Sequence, residues 1–193
     1  MGLWRRVISG FKTHGDKPLR RGSSRRRGYS ATEAVISVGV ATVLIGLMGV
    51  AVSKAQRAKY NTMCSGNLRN ISLAFRQYAT DNLGRLPAPA EMGIQWEDCL
   101  RRYIHRSTFQ CPSDKELFAT VGSSYDWRET GDPKTTLANR LITDVSHANT
   151  ALTFEALPGW HEAGKVQMVT LEGQVLTVSQ NTLIDDLMRA VRQ

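Results

Sequence analysis

Several features that mark enzymes and metal proteins are missing from this sequence. It has only three cysteines, Cys64, Cys99 and Cys111, and no two of them have the CxxC spacing of a zinc site. It contains no glycine-rich phosphate loop, no nucleophile elbow and no HExxH motif. We therefore expect a protein that is not an enzyme.

Most of the chain has no net charge, because its basic and acidic residues balance. The whole sequence has a formal net charge of +8 and a pI near 9.8, values that alone would suggest a polyanionic partner. However, residues 1–28 hold nine Lys or Arg against one acid, whereas residues 29–193 hold 16 of each sign. The basic charge thus belongs to a leader, and we do not expect the body of the protein to bind nucleic acid.

Charged residues are absent from residues 34–52, a run of nineteen residues. A helix needs roughly 20 apolar residues to cross a bilayer. Because the basic leader precedes this run, the positive-inside rule predicts a cytoplasmic N-terminus and a C-terminal part on the far side. A secretory signal peptide, a twin-arginine signal and an uncleaved anchor also fit the run. None of them explains Glu33 at its start, where a carboxylate near hydrocarbon costs a few kcal/mol.

Proline is absent from residue 29 to residue 86, and the first turn signal is Asp81-Asn82-Leu83-Gly84. Within this stretch, apolar residues recur at spacings of three and four, as in an amphipathic helix. They are Cys64, Leu68, Ile71, Phe75 and Tyr78. The sequence predicts one helix of about 50 residues, with an apolar half at 29–54 and an amphipathic half at 55–84.

The remainder, residues 85–193, has the alternating pattern of a small α+β head. The predicted strands lie near Arg140–Val145, Thr150–Ala156, Val166–Leu171 and Gln174–Ser179. We expect an antiparallel sheet to pack on the amphipathic half of the helix and to bury its apolar stripe.

Two local signals refine this head. Leu171-Glu172-Gly173-Gln174 predicts a tight hairpin turn, with Gly173 at a position of positive φ. Thr182 and Asp185 have the spacing of a capping box before a short C-terminal helix. That helix would carry Leu183, Leu187 and Val191.

The segment Gly28-Tyr29-Ser30-Ala31-Thr32-Glu33, between basic residues and the apolar run, resembles the class III leader of type IV prepilins and type II secretion pseudopilins. In that family a membrane aspartyl peptidase cuts after the glycine and methylates the new N-terminal amine. The resemblance implies cleavage between Gly28 and Tyr29, methylation of Tyr29, and a role for Glu33 in assembly. Further similar stretches are Cys64–Ile71, Tyr78–Asn82, Gly84–Pro87, Trp96, Tyr103–Ile104, Phe109–Asp114, Ser124–Tyr125, and His161 with Gly164 before Glu172–Gly173.

This resemblance implies a pilin-like fold and a structural subunit that polymerises through its N-terminal helix into a pilus or a type II secretion pseudopilus. It also implies a single-pass protein of the bacterial inner membrane with its head outside the cytoplasm. The implied partners are the prepilin peptidase, identical or related pilins, and the assembly platform with its ATPase. The alternative is an uncleaved, signal-anchored protein with a ligand-binding or enzymatic head.

Glu33 has a physical explanation in this setting. After cleavage, Tyr29 would carry a free ammonium group at the start of the helix, and an unpaired Glu33 in an apolar filament core would be costly. The Tyr29 ammonium of a neighbouring subunit is a partner of opposite charge. We therefore expect this pair to set the register between subunits.

The cysteine pairing stays open at this stage. Outside the cytoplasm, one disulfide and one free thiol are expected rather than a metal site. The resemblance makes Cys64 and Cys111 the more usual pair of positions, whereas Cys99 and Cys111 are closer in sequence.

No resident cofactor is expected, although some major pseudopilins bind calcium. The spacing of the candidate ligands is not that of a calcium loop, and we interpret them as solvated turn residues. The histidines also lack the spacing of a metal site. The candidate calcium ligands are Asp114, Asp126, Asp132 and Asp144, and the histidines are His105, His147 and His161.

Overall fold

The computed structural model describes residues 28, 30–145 and 149–191. The chain divides between Ile45 and Gly46 into two units. Long and short helices combine with one antiparallel sheet, so the chain has the α+β class that the sequence predicts. The α-helices are α1 (Ala31–Asp81), α2 (Pro89–Met92), α3 (Trp96–Leu100), α4 (Leu117–Val121) and α5 (Gln180–Leu187). The strands are β1 (Tyr125–Trp127), β2 (Ala151–Glu155), β3 (Lys165–Thr170) and β4 (Val175–Ser179), and short 3-10 helices lie at Arg106–Phe109 and Ile142–Asp144.

Helix α1 has 51 residues, as the absence of proline predicts. It ends in a turn where Leu83 and Gly84 have positive φ values of 56° and 79°. The Gly84 N–H donates to the carbonyl oxygen of Ala79 at 2.7 Å and satisfies one of the carbonyls that a helix end leaves free. The predicted turn at residues 81–84 is confirmed.

Exposure changes along α1 at Cys64. Every residue from 30 to 63 is exposed, and Cys64 is the first buried one. The predicted stripe then faces the core, with its first four members fully buried and Tyr78 partly buried. The Phe75 ring stacks on Trp96 and on Trp127, with centroid distances of 5.8 and 5.2 Å. Such ring pairs contribute about 0.5–1.5 kcal/mol each beyond their burial.

The sheet is antiparallel with the strand order β1-β2-β3-β4. Strands β2, β3 and β4 confirm three predicted strands to within one residue at either end. The strand predicted at Arg140–Val145 was wrong, because this segment bonds to the turn after α1 instead. The Leu86 N–H donates to the Arg140 carbonyl, and the Ile142 N–H donates to the Gly84 carbonyl.

Strand β2 contains an irregularity and contributes side chains to two apolar clusters. Ala151 pairs with Thr170 and Thr153 pairs with Val169, so Leu152 is an extra residue between two register positions. Leu152 belongs to the cluster that contains the α1 stripe, whereas Ala151 belongs to the cluster that contains α5.

The hairpin between β3 and β4 is confirmed. Gly173 has a φ of 87°, a conformation that glycine adopts without the strain of a side chain. The Gly173 N–H donates to the Thr170 carbonyl, and the Thr170 N–H donates to the Gln174 carbonyl, both at 2.9 Å.

The short C-terminal helix α5 is present, but its predicted start is wrong. The N-cap is Ser179, whose Oγ accepts from the Thr182 N–H at 3.2 Å. The helix therefore begins about one turn earlier than a capping box of Thr182 and Asp185 would place it. On its apolar side Leu183 packs with Val166 and with other side chains of β3 and β4.

Arg128 is buried and ties the residues after β1 to the end of α5. Its Nη1 donates to Asp186 Oδ2 at 2.9 Å, and its Nε donates to the Thr135 carbonyl at 2.8 Å. Its Nη2 lies 2.6 and 2.7 Å from the carbonyl oxygens of Asp186 and Arg189. Burial lowers the pKa of Arg128, and Asp186 opposes that effect. The guanidinium thus occupies the helix end where a positive charge is favoured.

Candidate functional site

The first candidate site is the beginning of α1, where Ser30 and Glu33 bond to each other's main chain. The Ser30 N–H donates to Glu33 Oε2 at 3.1 Å, and the Glu33 N–H donates to Ser30 Oγ at 3.2 Å. This reciprocal pair is a capping box, which satisfies two amide donors at the helix start. Glu33 also lies in the first turn, where the helix dipole favours a negative charge.

Sequence reasoning overlooked this box, although its signal, a serine followed three residues later by a glutamate, is visible in the sequence. Gly28 is exposed, and Tyr29 lies outside the described residues. Cleavage after Gly28 and methylation of Tyr29 therefore stay predictions. The Glu33 carboxylate now has two distinct candidate roles, a cap within its own helix and an ion pair with a neighbouring subunit.

The second candidate site is the apolar surface of α1. Among the described residues, α1 is the one helix long and apolar enough to cross a membrane, and none of its apolar window is buried. A secretory signal sequence at the N-terminus of a chain can be as long and as apolar as this segment. The hydroxyls of Ser37, Thr42 and Ser53 donate to the carbonyl four residues earlier at 2.7 to 2.9 Å. These polar groups are therefore satisfied within the helix, as hydrocarbon or tight helix packing requires.

The third candidate site surrounds the disulfide of the head. Cys64 is bonded to Cys111, with 5.3 Å between their Cα atoms, and Cys99 is a free thiol. The neighbouring Asn67 Nδ2 donates to the Gln110 carbonyl at 2.8 Å. The amphipathic half of α1 is thus held covalently to a segment 47 residues further along the chain.

Asp114, in the same motif as Cys111, organises the turn that follows. Its carboxylate accepts from the N–H groups of Glu116, Leu117 and Phe118 at 2.8 to 3.0 Å, and from the Ser124 hydroxyl at 2.5 Å. Burial alone would raise the pKa of Asp114, but these hydrogen bonds outweigh it, and the pKa is lowered. Asp114 therefore acts as a local cap.

The Ser124–Tyr125 motif meets the same region. Ser124 Oγ accepts from the Cys111 N–H at 3.0 Å, and the Tyr125 hydroxyl lies 3.4 Å from Asn67 Nδ2. Burial is the main reason that the pKa of Tyr125 is raised. Four sequence motifs, at residues 64–71, 109–114, 124–125 and 161, thus converge around one disulfide.

His161 and Glu155 complete the group of side chains beside this bond. His161 Nε2 lies 3.4 Å from Cys111 Sγ and 3.0 Å from Glu155 Oε1. Glu155 is 2% exposed, and its Oε2 accepts from the Gln167 N–H at 2.9 Å. Its Oε1 has no well-directed hydrogen bond, although the His161 ring is close.

We call these four side chains the disulfide cluster: Cys64, Cys111, Glu155 and His161. One potential metal-ligand atom from each lies within 4.8 Å of all the others. The sequence held a signal for three of them, because Cys64, Cys111 and His161 lie in quoted motifs. Glu155, at the end of a buried strand, had none.

The four aspartates considered for calcium do not come together in the described part of the chain, and none belongs to a metal-type cluster there. Asp126 Oδ1 accepts from the Trp127 N–H at 2.8 Å, and Asp132 Oδ1 accepts from the Lys134 N–H at 2.9 Å. Among the histidines, His105 caps a 3-10 helix, and His147 lies outside the described residues.

Cys99 lacks the environment of a reactive thiol. Burial raises its pKa to about 11, and the nearby carboxylates of Asp98, Glu129 and Glu97 add to that effect, while a main-chain hydrogen bond opposes it. Because the thiolate is the nucleophilic form, Cys99 is a weak nucleophile at neutral pH.

No family model, no curated protein and no solved structure matches this chain. Function is therefore inferred from the start of α1, its apolar surface and the disulfide cluster.

Proposed function

We propose that this chain is a structural filament subunit, of the type IV pilin or type II secretion pseudopilin kind, that polymerises through α1. The observation that carries the proposal is that α1 is exposed from residue 31 to residue 63, including its apolar run at 34–52, and buries an apolar stripe only from Cys64 onward. The stripe from Cys64 onward is covered by the head of the same chain. The apolar segment requires hydrocarbon before assembly and neighbouring helices after it.

Three glycines in the apolar segment support helix-to-helix packing. A Cβ atom built at Gly39, Gly46 or Gly49 would meet no atom of the described residues within 4 Å, apart from the adjacent turns of its own helix. Their lack of a side chain therefore serves no close contact within the described chain. Small residues on a membrane helix allow another helix to approach closely.

Glu33 supplies the specific contact between subunits in this proposal. Its carboxylate is exposed at the first turn of α1, and its cap to Ser30 uses Oε2. The Tyr29 ammonium created by cleavage would bind the carboxylate of the next subunit. This pair would be desolvated in a filament core, so losing one partner would leave a costly buried charge.

The proposal includes three successive steps: membrane insertion, cleavage and assembly. The chain is inserted in the inner membrane with residues 1–28 in the cytoplasm, a prepilin peptidase removes those residues, and a platform protein with its ATPase drives assembly. The balanced charge of residues 29–193 makes protein neighbours more suitable partners than nucleic acid.

Processing is the first test of the proposal. The full chain is produced in a bacterium that has a prepilin peptidase, and the membrane-derived protein is measured by intact mass and N-terminal sequencing. We expect a start at Tyr29 with one added methyl group. Gly28→Val should retain residues 1–28, because the peptidase accepts a residue without a side chain, whereas the control Gly22→Val should be processed normally. A start at Lys54 or Ala55, or a retained leader in the unaltered chain, would contradict the proposal.

A further inference from the structure

We propose that the disulfide cluster binds one zinc ion when the Cys64–Cys111 bond is reduced. The ligands are the two cysteine sulfurs, His161 Nε2 and Glu155 Oε1. Two thiolates, one imidazole and one carboxylate are ligands that zinc prefers. This site is independent of filament assembly, because none of its residues lies in the apolar segment of α1.

The distances between the ligand atoms suit a small tetrahedral ion. Zinc bonds of about 2.0–2.3 Å place the ligand atoms of a tetrahedron ~3.3–3.8 Å apart. His161 Nε2 lies 3.4 Å from Cys111 Sγ, within this range, and 3.0 Å from Glu155 Oε1, slightly below it, so a small widening admits the ion. The sulfurs must separate after reduction. With 5.3 Å between the Cα atoms, rotation of the two cysteine side chains achieves this without a large main-chain movement.

The buried carboxylate of Glu155 is an independent reason to place a cation here, because its Oε1 has the His161 ring 3.0 Å away but no well-directed hydrogen bond. Glu155 is 2% exposed, and Oε1 points into the cluster without a well-directed hydrogen bond. A disulfide does not require a buried carboxylate beside it, and burying a carboxylate oxygen without a well-directed hydrogen bond is costly. A bound zinc ion would satisfy this oxygen.

Surrounding groups already orient the proposed ligands. Ser113 Oγ lies 3.5 Å from His161 Nδ1, at the outer limit of a hydrogen bond. In the zinc-bound state, a proton on Nδ1 directed at this oxygen leaves the Nε2 lone pair for the metal. The Gln167 N–H holds Glu155 Oε2, which leaves Oε1 for the ion.

The disulfide and the metal site are alternative states of the same sulfurs. A dithiol reductant transfers two electrons and two protons to the Cys64–Cys111 bond and itself becomes a disulfide. Zinc then replaces the two thiol protons, which are released to solvent. Both states connect α1 to the segment at Cys111, one through a covalent bond and the other through the ion.

The test uses the full chain in detergent, reduced with a thiol-free phosphine, and Co²⁺ as a spectroscopic substitute for zinc. We expect one Co²⁺ per reduced chain, with the absorption of thiolate-to-cobalt charge transfer, and its displacement by Zn²⁺. The oxidised chain should not bind. His161→Ala and Glu155→Gln should each weaken binding at least tenfold, and the control Cys99→Ser should bind like the unaltered chain.

Circular dichroism recorded alongside shows whether the reduced chain stays folded. If it stays folded, absence of stoichiometric binding, or unchanged binding by the Cys64→Ser/Cys111→Ser variant, would overturn the proposal. If reduction unfolds the head, addition of Zn²⁺ should restore the helical and aromatic signals, since a metal that binds only the folded state drives folding. Failure of zinc to restore them would equally overturn it.

Discussion

Arg128 and Asp186 form a buried ion pair in which Nη1 lies 2.9 Å from Oδ2 and the side chains are 1% and 10% exposed. Asp186 Oδ2 also accepts from the Ala151 N–H at 2.9 Å, so the pair joins β2 to α5. The same guanidinium donates hydrogen bonds to the carbonyl oxygens of Asp186 and Arg189 at the end of this helix. This polar connection adds to the apolar packing of Leu183 in holding the short C-terminal helix on the sheet.

Replacement of Arg128 should therefore destabilise the head strongly. Arg128→Met would leave Asp186 buried without its close cation, with only the exposed Arg189 at 3.7 Å, and the free energy of unfolding should fall by about 3–5 kcal/mol. The control is Arg101→Ala, which removes an exposed pair with Asp98 and should cost less than about 1 kcal/mol. Urea unfolding followed by circular dichroism measures both. A loss below 1 kcal/mol for Arg128→Met would show that the buried pair is not needed.

The disulfide should make a comparable contribution. The double variant Cys64→Ser/Cys111→Ser opens a loop closed over 47 residues, and the chain-entropy model gives a loss of about 4 kcal/mol. Cys99→Ser is the control and should stay near the unaltered protein. The measurement is denaturant unfolding without reductant, so that the unaltered protein and Cys99→Ser keep the Cys64–Cys111 bond. Equal midpoints for the two variants would contradict the structural role assigned to this disulfide.

Asp114 should make stability depend on acid pH. Its folded pKa is lowered, so its ionised form stabilises the fold, and this contribution is present above its unfolded value of about 3.9. The contribution is lost as pH falls through the lowered folded pKa. Asp114→Asn should therefore flatten the decline of unfolding free energy below pH 4.

The pKa of Glu97 is shifted in the opposite direction, so Glu97 serves as the control for that measurement. Burial is the main cause that raises its pKa, so its contribution is present below the unfolded value of about 4.3 and is lost as pH rises through the folded value. Glu97→Gln should thus gain stability relative to the unaltered chain as pH rises. Parallel pH profiles for the Asp114→Asn and Glu97→Gln variants would contradict the assigned causes.

The elements with long repeating patterns could be predicted from the sequence. Helix α1 has a proline-free stretch and a stripe from Cys64 to Tyr78, and β2 to β4 have alternating residues bounded by turn signals. Strand β1 has only three residues, too few to show an alternating pattern. The Arg140–Val145 segment has the composition of a strand, but its main chain forms hydrogen bonds with Gly84 and Leu86 and does not join the sheet.

The candidate sites were predictable to different degrees. The Ser30–Glu33 box depends on spacing within one helix and was available from the sequence. The disulfide cluster depends on tertiary structure, because Glu155 and His161 come from the end of β2 and the loop after it. A strand-end glutamate is ordinarily solvated, so its burial beside the disulfide has no local signal.

The measurement that tests the filament proposal most directly separates the cap of α1 from the charge of Glu33. Glu33→Gln keeps an oxygen that accepts from the Ser30 N–H but removes the charge, whereas Ser30→Ala removes the Oγ cap and keeps the charge. Sheared-filament yield is compared at equal membrane level in a host with the assembly machinery, after N-terminal sequencing shows that both variants start at Tyr29.

Ser30→Ala should assemble near the unaltered yield, because losing one cap costs only ~1 kcal/mol. Glu33→Gln should lose more than tenfold in yield, because the neighbour's Tyr29 ammonium would be buried unpaired at a cost of about 3–5 kcal/mol. Filaments from Glu33→Gln at the unaltered yield would mean that the carboxylate serves only as the cap of its own helix, and assembly through this charge pair would be contradicted.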